Sequence, residues 1–108
     1  MPVYNKLVRD KIPAIIEADG KACTTRILSD QEYEKELKIK LNEEVNEFLE
    51  ANKTEEAQEE LADILELIHA LAHINGASFK DIERIRREKV SKRGTFNDKI
   101  FLIEVEDD

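Results

Sequence analysis

The sequence predicts an all-α fold. A central antiparallel helix pair would complete a four-helix bundle by oligomerisation, with short extended segments at the chain ends. Charged residues make up 39% of the 108 residues and aromatic residues only 6%, a balance typical of long helices bordered by solvent. Apolar residues recur mostly at intervals of three and four. Glycine and proline are scarce, at three and two, and separate these patterns. A single domain covering residues 1–108 accounts for this length.

The first predicted helix covers about Ile12 to Ala18. Pro13 suits the first turn of a helix, where its missing N–H group costs nothing. Gly20 suits the left-handed position that often ends a helix. Residues 22–28, which follow, are rich in β-branched side chains and are predicted to be extended.

The second predicted helix is the clearest one. Ser29 followed by Glu32 forms a capping-box pattern at its start, and the helix is expected to end near Asn52. Its apolar stripe has i, i+3 and i+4 steps and consists of Tyr33, Leu37, Leu41, Val45 and Phe48.

Two further helices are predicted in the second half of the chain. The third begins at Thr54 and is ended by Asn75 and Gly76. The fourth is capped by Ser78 and closed by Gly94. Both contain apolar stripes at helical spacing, which indicates that each buries one face.

The two central helices are long for a chain of this size, at about 20 residues or 30 Å each. A hairpin of two such helices covers only part of a broad apolar arc. We therefore expect a homo-oligomer, either a dimer or a tetramer, that completes a four-helix core. Residues 99–105, with the sequence KIFLIEV, are predicted to be a strand or an extended segment.

The charge and the apolar runs exclude several classes of partner. Acidic residues outnumber basic residues by 25 to 17, and the formal net charge is −8. This charge disfavours both a nucleic-acid backbone and an anionic lipid surface. No apolar run is long enough for a membrane span, and the polar N-terminus does not resemble a signal peptide. The single cysteine, Cys23, excludes an internal disulfide and indicates a reducing cytoplasm.

A helical wheel separates a few acidic residues from those that face solvent. With Leu41 at zero, Glu44 falls about 60° away and Glu47 about 120° away, with Lys40 between them. Glu36 and Glu43 fall about 140° and 160° from Leu41, on the side that faces away from the apolar stripe. Glu44, Glu47 and Lys40 therefore share one edge of the apolar stripe.

The third helix places two more acidic residues in a similar position. With Leu61 at zero, Glu60 falls inside the apolar arc and Asp63 at its rim. An antiparallel hairpin would bring the four acids together, where they repel each other unless a hard cation such as Mg²⁺ intervenes. The alternative is that all four are solvated acids in i, i+4 pairs with lysines.

The four acids resemble the motif of a known family, the all-α nucleoside triphosphate pyrophosphohydrolases. This MazG-like group also includes phosphoribosyl-ATP pyrophosphohydrolase. The family is marked by an ExxE pair, a spacer and an ExxD pair. Here the pairs are Glu44 with Glu47 and Glu60 with Asp63, separated by residues 48–59.

The resemblance extends to both ends of the chain. The segments YNKLVRDKIPAIIEADGK and KVSKRGTFNDKIFL look like a bacterial and archaeal small-protein branch of the same superfamily. The DLLYH-type run of the phosphoribosyl-ATP enzymes is replaced here by DILEL, with His69 displaced. This difference argues against the histidine-biosynthetic substrate.

The resemblance implies an enzyme that uses the four acids to hold Mg²⁺. Its expected reaction is hydrolysis of a nucleoside triphosphate between the α and β phosphates, which yields a monophosphate and pyrophosphate. It also implies a role in clearing noncanonical nucleotides. One of the four acids, left unassigned, would accept a proton from the attacking water.

Cationic side chains are expected to bind the phosphate oxygens that the metal does not hold. Lys40 lies on the face of the four acids, and the two ends of the chain are basic islands in an acidic sequence. The predicted substrate-binding residues are Lys40, Lys6, Arg9, Lys11, Lys92 and Arg93. Surface solvation is the alternative for each of them.

Other groups of residues in the sequence match known metal or catalytic sites only in part. Glu66 and His69 form one half of a di-iron signature, but the second half is missing. His69 and His73 lack a third zinc ligand and are predicted to be surface residues. Cys23 has no nearby histidine and is predicted to be a buried packing residue. The alternative function is a non-catalytic acidic helical module that binds a basic protein partner.

Overall fold

The computed structural model describes residues 2–107. In this part of the chain there are four α-helices and no β-strand. The helices are α1 (Ile12–Ala18), α2 (Asp30–Glu50), α3 (Thr54–Ile74) and α4 (Phe79–Arg93). The all-α prediction is therefore confirmed, and each helix begins and ends within two residues of its predicted bounds.

Reciprocal side-chain caps fix where α2 and α4 begin. Glu32 N donates to Ser29 Oγ at 3.2 Å, and Ser29 N donates to Glu32 Oε1 at 3.2 Å. The same arrangement recurs at α4, where Asp81 N donates to Ser78 Oγ at 3.3 Å and Ser78 N donates to Asp81 Oδ2 at 2.9 Å. Each cap satisfies backbone donors that the first helical turn leaves free.

The helices α2 and α3 pack as an antiparallel hairpin across the short connection 51–53. The buried apolar residues of the described chain are Leu37, Leu67 and Ala72, all in this hairpin. The helix α4 contacts α3, and the Phe79 ring stacks on His69 with 3.8 Å between ring centroids. The backbone of α1 lies close to none of the other helices.

Much of the apolar surface of the hairpin remains exposed. Leu61 and Leu65, one turn apart on α3, are 50% and 47% exposed. The radius of gyration is 18.8 Å and the longest dimension is 65 Å. A compact domain of this length has a radius of gyration of about 13 Å. A single copy of the chain is thus too extended to bury its own apolar faces.

The predicted extended segments lie outside the helices. Residues 99–105 form no strand, and the apolar side chains in this segment are 73% to 89% exposed. Cys23 is only half-buried, so the prediction of a buried packing residue is wrong. Residues 22–28 lie between α1 and α2 and belong to no helix. Among the described helices, none combines the length and the apolar character that crossing a bilayer requires.

Candidate metal centre

Three of the four predicted acids lie together on the hairpin. Glu44 and Glu47 are one turn apart on α2, and Glu60 lies opposite them on α3. One carboxylate oxygen from each of these residues lies within 4.8 Å of the other two. Glu44 is only 8% exposed, Glu60 is half-buried and Glu47 is exposed. This acidic cluster therefore has a dry inner side and a side open to solvent.

The register of the hairpin explains why these residues meet. Glu44 lies six residues before the end of α2 at Glu50, and Glu60 lies six residues after the start of α3 at Thr54. Across a short antiparallel turn, these positions are at the same level. Leu37 and Leu67 each lie seven residues farther from the connection than Glu44 and Glu60. Both are buried, so they hold the same register.

Two oxygens of the acidic cluster are buried without a donor. Within the described residues, neither Glu44 Oε2 nor Glu60 Oε2 has a hydrogen-bond partner. Lys40 Nζ lies 3.8 Å from Glu44 Oε1, which is an ion pair but too long for a hydrogen bond. Buried polar atoms are normally paired, because an unpaired one loses its hydration without compensation. The two oxygens are therefore placed to receive a proton or a cation.

The electrostatics of the acidic cluster lead to the same conclusion. The neighbouring carboxyl of Glu44, partial burial and the carboxylate of Glu47 raise the pKa of Glu60 to about 8. Without a cation, Glu60 therefore keeps its proton at neutral pH, and this proton relieves the repulsion among the three side chains. A cation bound at the cluster would replace that proton.

The donor set fits a hard divalent cation such as Mg²⁺. All three side chains offer carboxylate oxygens, which Mg²⁺ and related cations prefer, and the group contains no histidine or cysteine. The two buried oxygens without donors have no hydrogen bond that a bound ion would have to displace. Mg²⁺ usually keeps several waters, and the exposed side at Glu47 leaves room for them.

The fourth predicted acid, Asp63, is held by a different partner. Its Oδ1 accepts a hydrogen bond from Arg9 Nη2 at 2.7 Å. Asp63 lies three residues after Glu60 on α3, but it is not among the three acids whose oxygens converge. The structure thus brings together three of the four predicted metal ligands and connects the fourth to the N-terminal segment.

The predicted phosphate-binding residues divide into two groups. Lys40 and Arg9 contact the predicted acids directly, through Glu44 and Asp63. In the described chain, no hydrogen bond or ion pair joins the acids to the other four predicted residues, Lys6, Lys11, Lys92 and Arg93. Lys6 Nζ instead lies 5.4 Å from the centre of the Tyr4 ring.

A shallow acidic cavity, which the sequence did not lead us to expect, adjoins the cluster. Its volume is about 240 Å³. The lining residues are Glu47, Glu50, Ala51, Glu56, Glu59 and Glu60. A wheel of one helix assigns Glu59 to solvent, and it is indeed exposed. The cavity could have been predicted from the short connection 51–53, since this connection brings the last turn of α2 beside the first turn of α3.

Comparisons with known proteins name no activity. No model of a protein family matches the chain. An uncharacterized protein of Mycolicibacterium smegmatis is 46% identical over 54 residues, which are 50% of this chain and 55% of that protein. The chain thus spans about half the length of this relative. No solved structure matches the chain.

Proposed function

We propose that the protein hydrolyses a nucleoside triphosphate, or a related nucleotide, between the α and β phosphates and requires Mg²⁺ to do so. The products would be a nucleoside monophosphate and pyrophosphate. The observation that carries the proposal is the convergence of Glu44, Glu47 and Glu60 with two buried oxygens that have no donor. The reaction itself is taken from the MazG-like resemblance of the ExxE and ExxD pairs.

The proposal gives each acidic residue a role. Glu44, Glu47 and Glu60 hold Mg²⁺, and Asp63 is the fourth proposed ligand. Bound Mg²⁺ supplies a lowered pKa for a coordinated water and compensates charge on the phosphoryl oxygens. One carboxylate of the four accepts the proton that the attacking water loses.

The basic residues balance the charge of the substrate. A nucleoside triphosphate brings about four negative charges to a site that already contains four carboxylates. Arg9 and Lys40 are the cationic groups nearest to the acids, and guanidinium and ammonium groups bind phosphate oxygens strongly. Lys6, Lys11, Lys92 and Arg93 are proposed as further phosphate contacts from the two ends of the chain.

We also propose that the protein is a homo-oligomer, a dimer or tetramer in which a second hairpin completes a four-helix bundle. The half-exposed Leu61 and Leu65 and the extended shape of the single chain support this assembly. Light scattering should show a mass at least twice that of one chain. Leu65→Glu should reduce that mass, whereas Ile27→Glu, a control at an exposed apolar side chain outside the helices, should not. A wild-type monomer at high concentration would refute the assembly.

The first experiment measures pyrophosphate release from canonical and damaged ribo- and deoxyribonucleoside triphosphates, with and without Mg²⁺. Glu44→Gln and Glu60→Gln should abolish turnover while the protein stays folded. The matched controls are Glu43→Gln and Glu66→Gln, which change exposed acids on the same two helices. Turnover of damaged nucleotides in preference to canonical ones would support a cytoplasmic role in clearing the nucleotide pool.

Other results would change the proposal. Release of orthophosphate alone would show that a different phosphate bond is cleaved. Absence of both turnover and Mg²⁺ binding would favour the non-catalytic module, whose acidic surface binds a basic partner. In that case Glu44→Gln would weaken partner binding without any dependence on the metal.

A further inference from the structure

The contact between Arg9 and Asp63 joins two distant parts of the chain at the edge of the acidic cluster. The residues are 54 positions apart, and Arg9 Nη2 lies 2.7 Å from Asp63 Oδ1. In the part of the chain that the structure describes, no other hydrogen bond or ion pair joins residues 2–11 to α2, α3 or α4. This ion pair is therefore the polar contact that joins the N-terminal segment to the edge of the site.

We propose that Arg9 and the metal site compete for Asp63. In the nucleotide-free protein, Arg9 holds the Asp63 carboxylate outside the acidic cluster. When a nucleotide binds, its phosphates take the Arg9 guanidinium, and Asp63 joins Glu60 on the same face of α3. This inference rests on the proposed function, and it assigns Arg9 as the residue that links occupancy of the substrate site to completion of the metal site.

The chemistry of the guanidinium group supports this exchange. Its planar array of donors matches a carboxylate and a phosphate equally well, so Arg9 can exchange one for the other without changing its geometry. A polyphosphate carries more negative charge than a single carboxylate and is the stronger partner. Mg²⁺ on the released Asp63 would in turn compensate for the lost arginine.

Because the ion pair between Arg9 and Asp63 is exposed to solvent, breaking it costs little free energy. The Arg9 and Asp63 side chains are 57% and 41% exposed. Ion pairs in such surroundings contribute little to stability, because water solvates both partners when they separate. Asp63 lies three residues from Glu60, a spacing that places both side chains on one face of a helix. Only a side-chain movement is therefore needed to bring Asp63 to the cluster.

The test measures binding of Mn²⁺ alone to the nucleotide-free protein by calorimetry. Arg9→Gln frees Asp63 and should lower the Kd for Mn²⁺ by about two- to fivefold, the range that an exposed ion pair contributes. In the Asp63→Asn background, Arg9→Gln should have no effect on the Kd. Lys21→Gln is the control, since it makes the same change of charge at an exposed residue beyond α1.

A second measurement follows the phosphate partner of Arg9. Inorganic pyrophosphate, titrated in the presence of saturating Mn²⁺, should bind Arg9→Gln more weakly than the wild type, so the variant should bind metal better and phosphate worse. A merely structural ion pair would not produce these opposite changes.

Each remaining result overturns a defined part of the reasoning. An unchanged Mn²⁺ affinity in Arg9→Gln overturns the competition, and so does an increase that persists in the Asp63→Asn background or that Lys21→Gln reproduces. Failure of the proposed function gives a different result. The wild type would then show no Mn²⁺ binding that is lost in the Glu44→Gln variant.

Discussion

Glu60→Gln should remove a pH dependence of stability that the wild-type protein has in the absence of divalent cations. In the folded protein, Glu44, partial burial and Glu47 raise the pKa of Glu60 from 4.5 to about 8. In the unfolded chain this carboxyl titrates near its ordinary value. Between these two pH values, the folded state therefore holds one more proton than the unfolded state.

The direction of the effect follows from proton linkage. Stability falls as pH rises wherever the folded state binds more protons than the unfolded state. The wild type should therefore lose stability as the pH rises from 4.5 to about 8, and level off above that value. Glutamine resembles the protonated carboxyl and does not titrate. The variant should thus lack this decline and be more stable than the wild type at pH 9.

Two other carboxyls make stability depend on pH below this range. The guanidinium of Arg26 and the Ser29 cap lower the pKa of Glu32 to about 2, and Arg86 does the same for Glu83. Their contribution is present above pH 4.5 and is lost as the pH falls towards 2. Both proteins should therefore lose stability below pH 4.5, so the comparison must be made above it.

Urea unfolding at pH 5, 7 and 9 in the presence of EDTA measures the effect, with Glu66→Gln as an exposed control on the same helix.

A second readout is proton release. At pH 7 most molecules carry the proton on Glu60, whose pKa is about 8, so Mg²⁺ binding should release about one proton per site. Calorimetry in two buffers of different ionisation enthalpy detects this release. Parallel stability curves for wild type and Glu60→Gln, or no proton release, would refute the reasoning.

Three further predictions concern the packing and the caps. Leu37→Ala should destabilise the protein by about 2–5 kcal/mol in chemical denaturation, whereas Ile27→Ala, at a side chain exposed to solvent, should change stability by less than about 0.5 kcal/mol. Ser29→Ala removes the side-chain acceptor of the α2 cap and should cost about 1 kcal/mol in thermal unfolding, a loss that Ser29→Asp should largely avoid. Phe79→Ala removes the ring that stacks on His69, so amide hydrogen exchange should become faster in α4 while it stays unchanged in α2.

The helix boundaries could be predicted because local interactions determine them. Ser29 and Ser78 each cap a helix through the residue three positions later, and such pairs can be read directly from the sequence. Gly94 closes α4 at a φ of 84°, a left-handed conformation that glycine adopts without strain. In each case the interacting residues lie within one helical turn, so no knowledge of tertiary structure was needed.

The acidic cluster could be predicted in part for a related reason. The helical period alone places Glu44 at the edge of one apolar stripe and Glu60 inside another, and both lose solvent in the hairpin as expected. The Arg9 partner of Asp63 could not be predicted in this way, because it lies 54 residues away and follows from no periodic pattern. The apolar segment 99–105 is a similar case, since its composition favours a strand but does not specify a partner strand, and its apolar side chains are exposed.

The position of the acidic cluster connects metal binding to the stability of the hairpin. Leu37 and Leu67 are buried one heptad from Glu44 and Glu60, so the carboxylates repel each other within the same small interface that holds the two helices together. A proton on Glu60 relieves this repulsion only below a pH of about 8, the raised pKa of that residue. A bound cation would relieve it at any higher pH and would stabilise the folded state in proportion to its concentration relative to its Kd. The carboxylates that weaken the metal-free hairpin are therefore the same groups through which a bound metal would strengthen it.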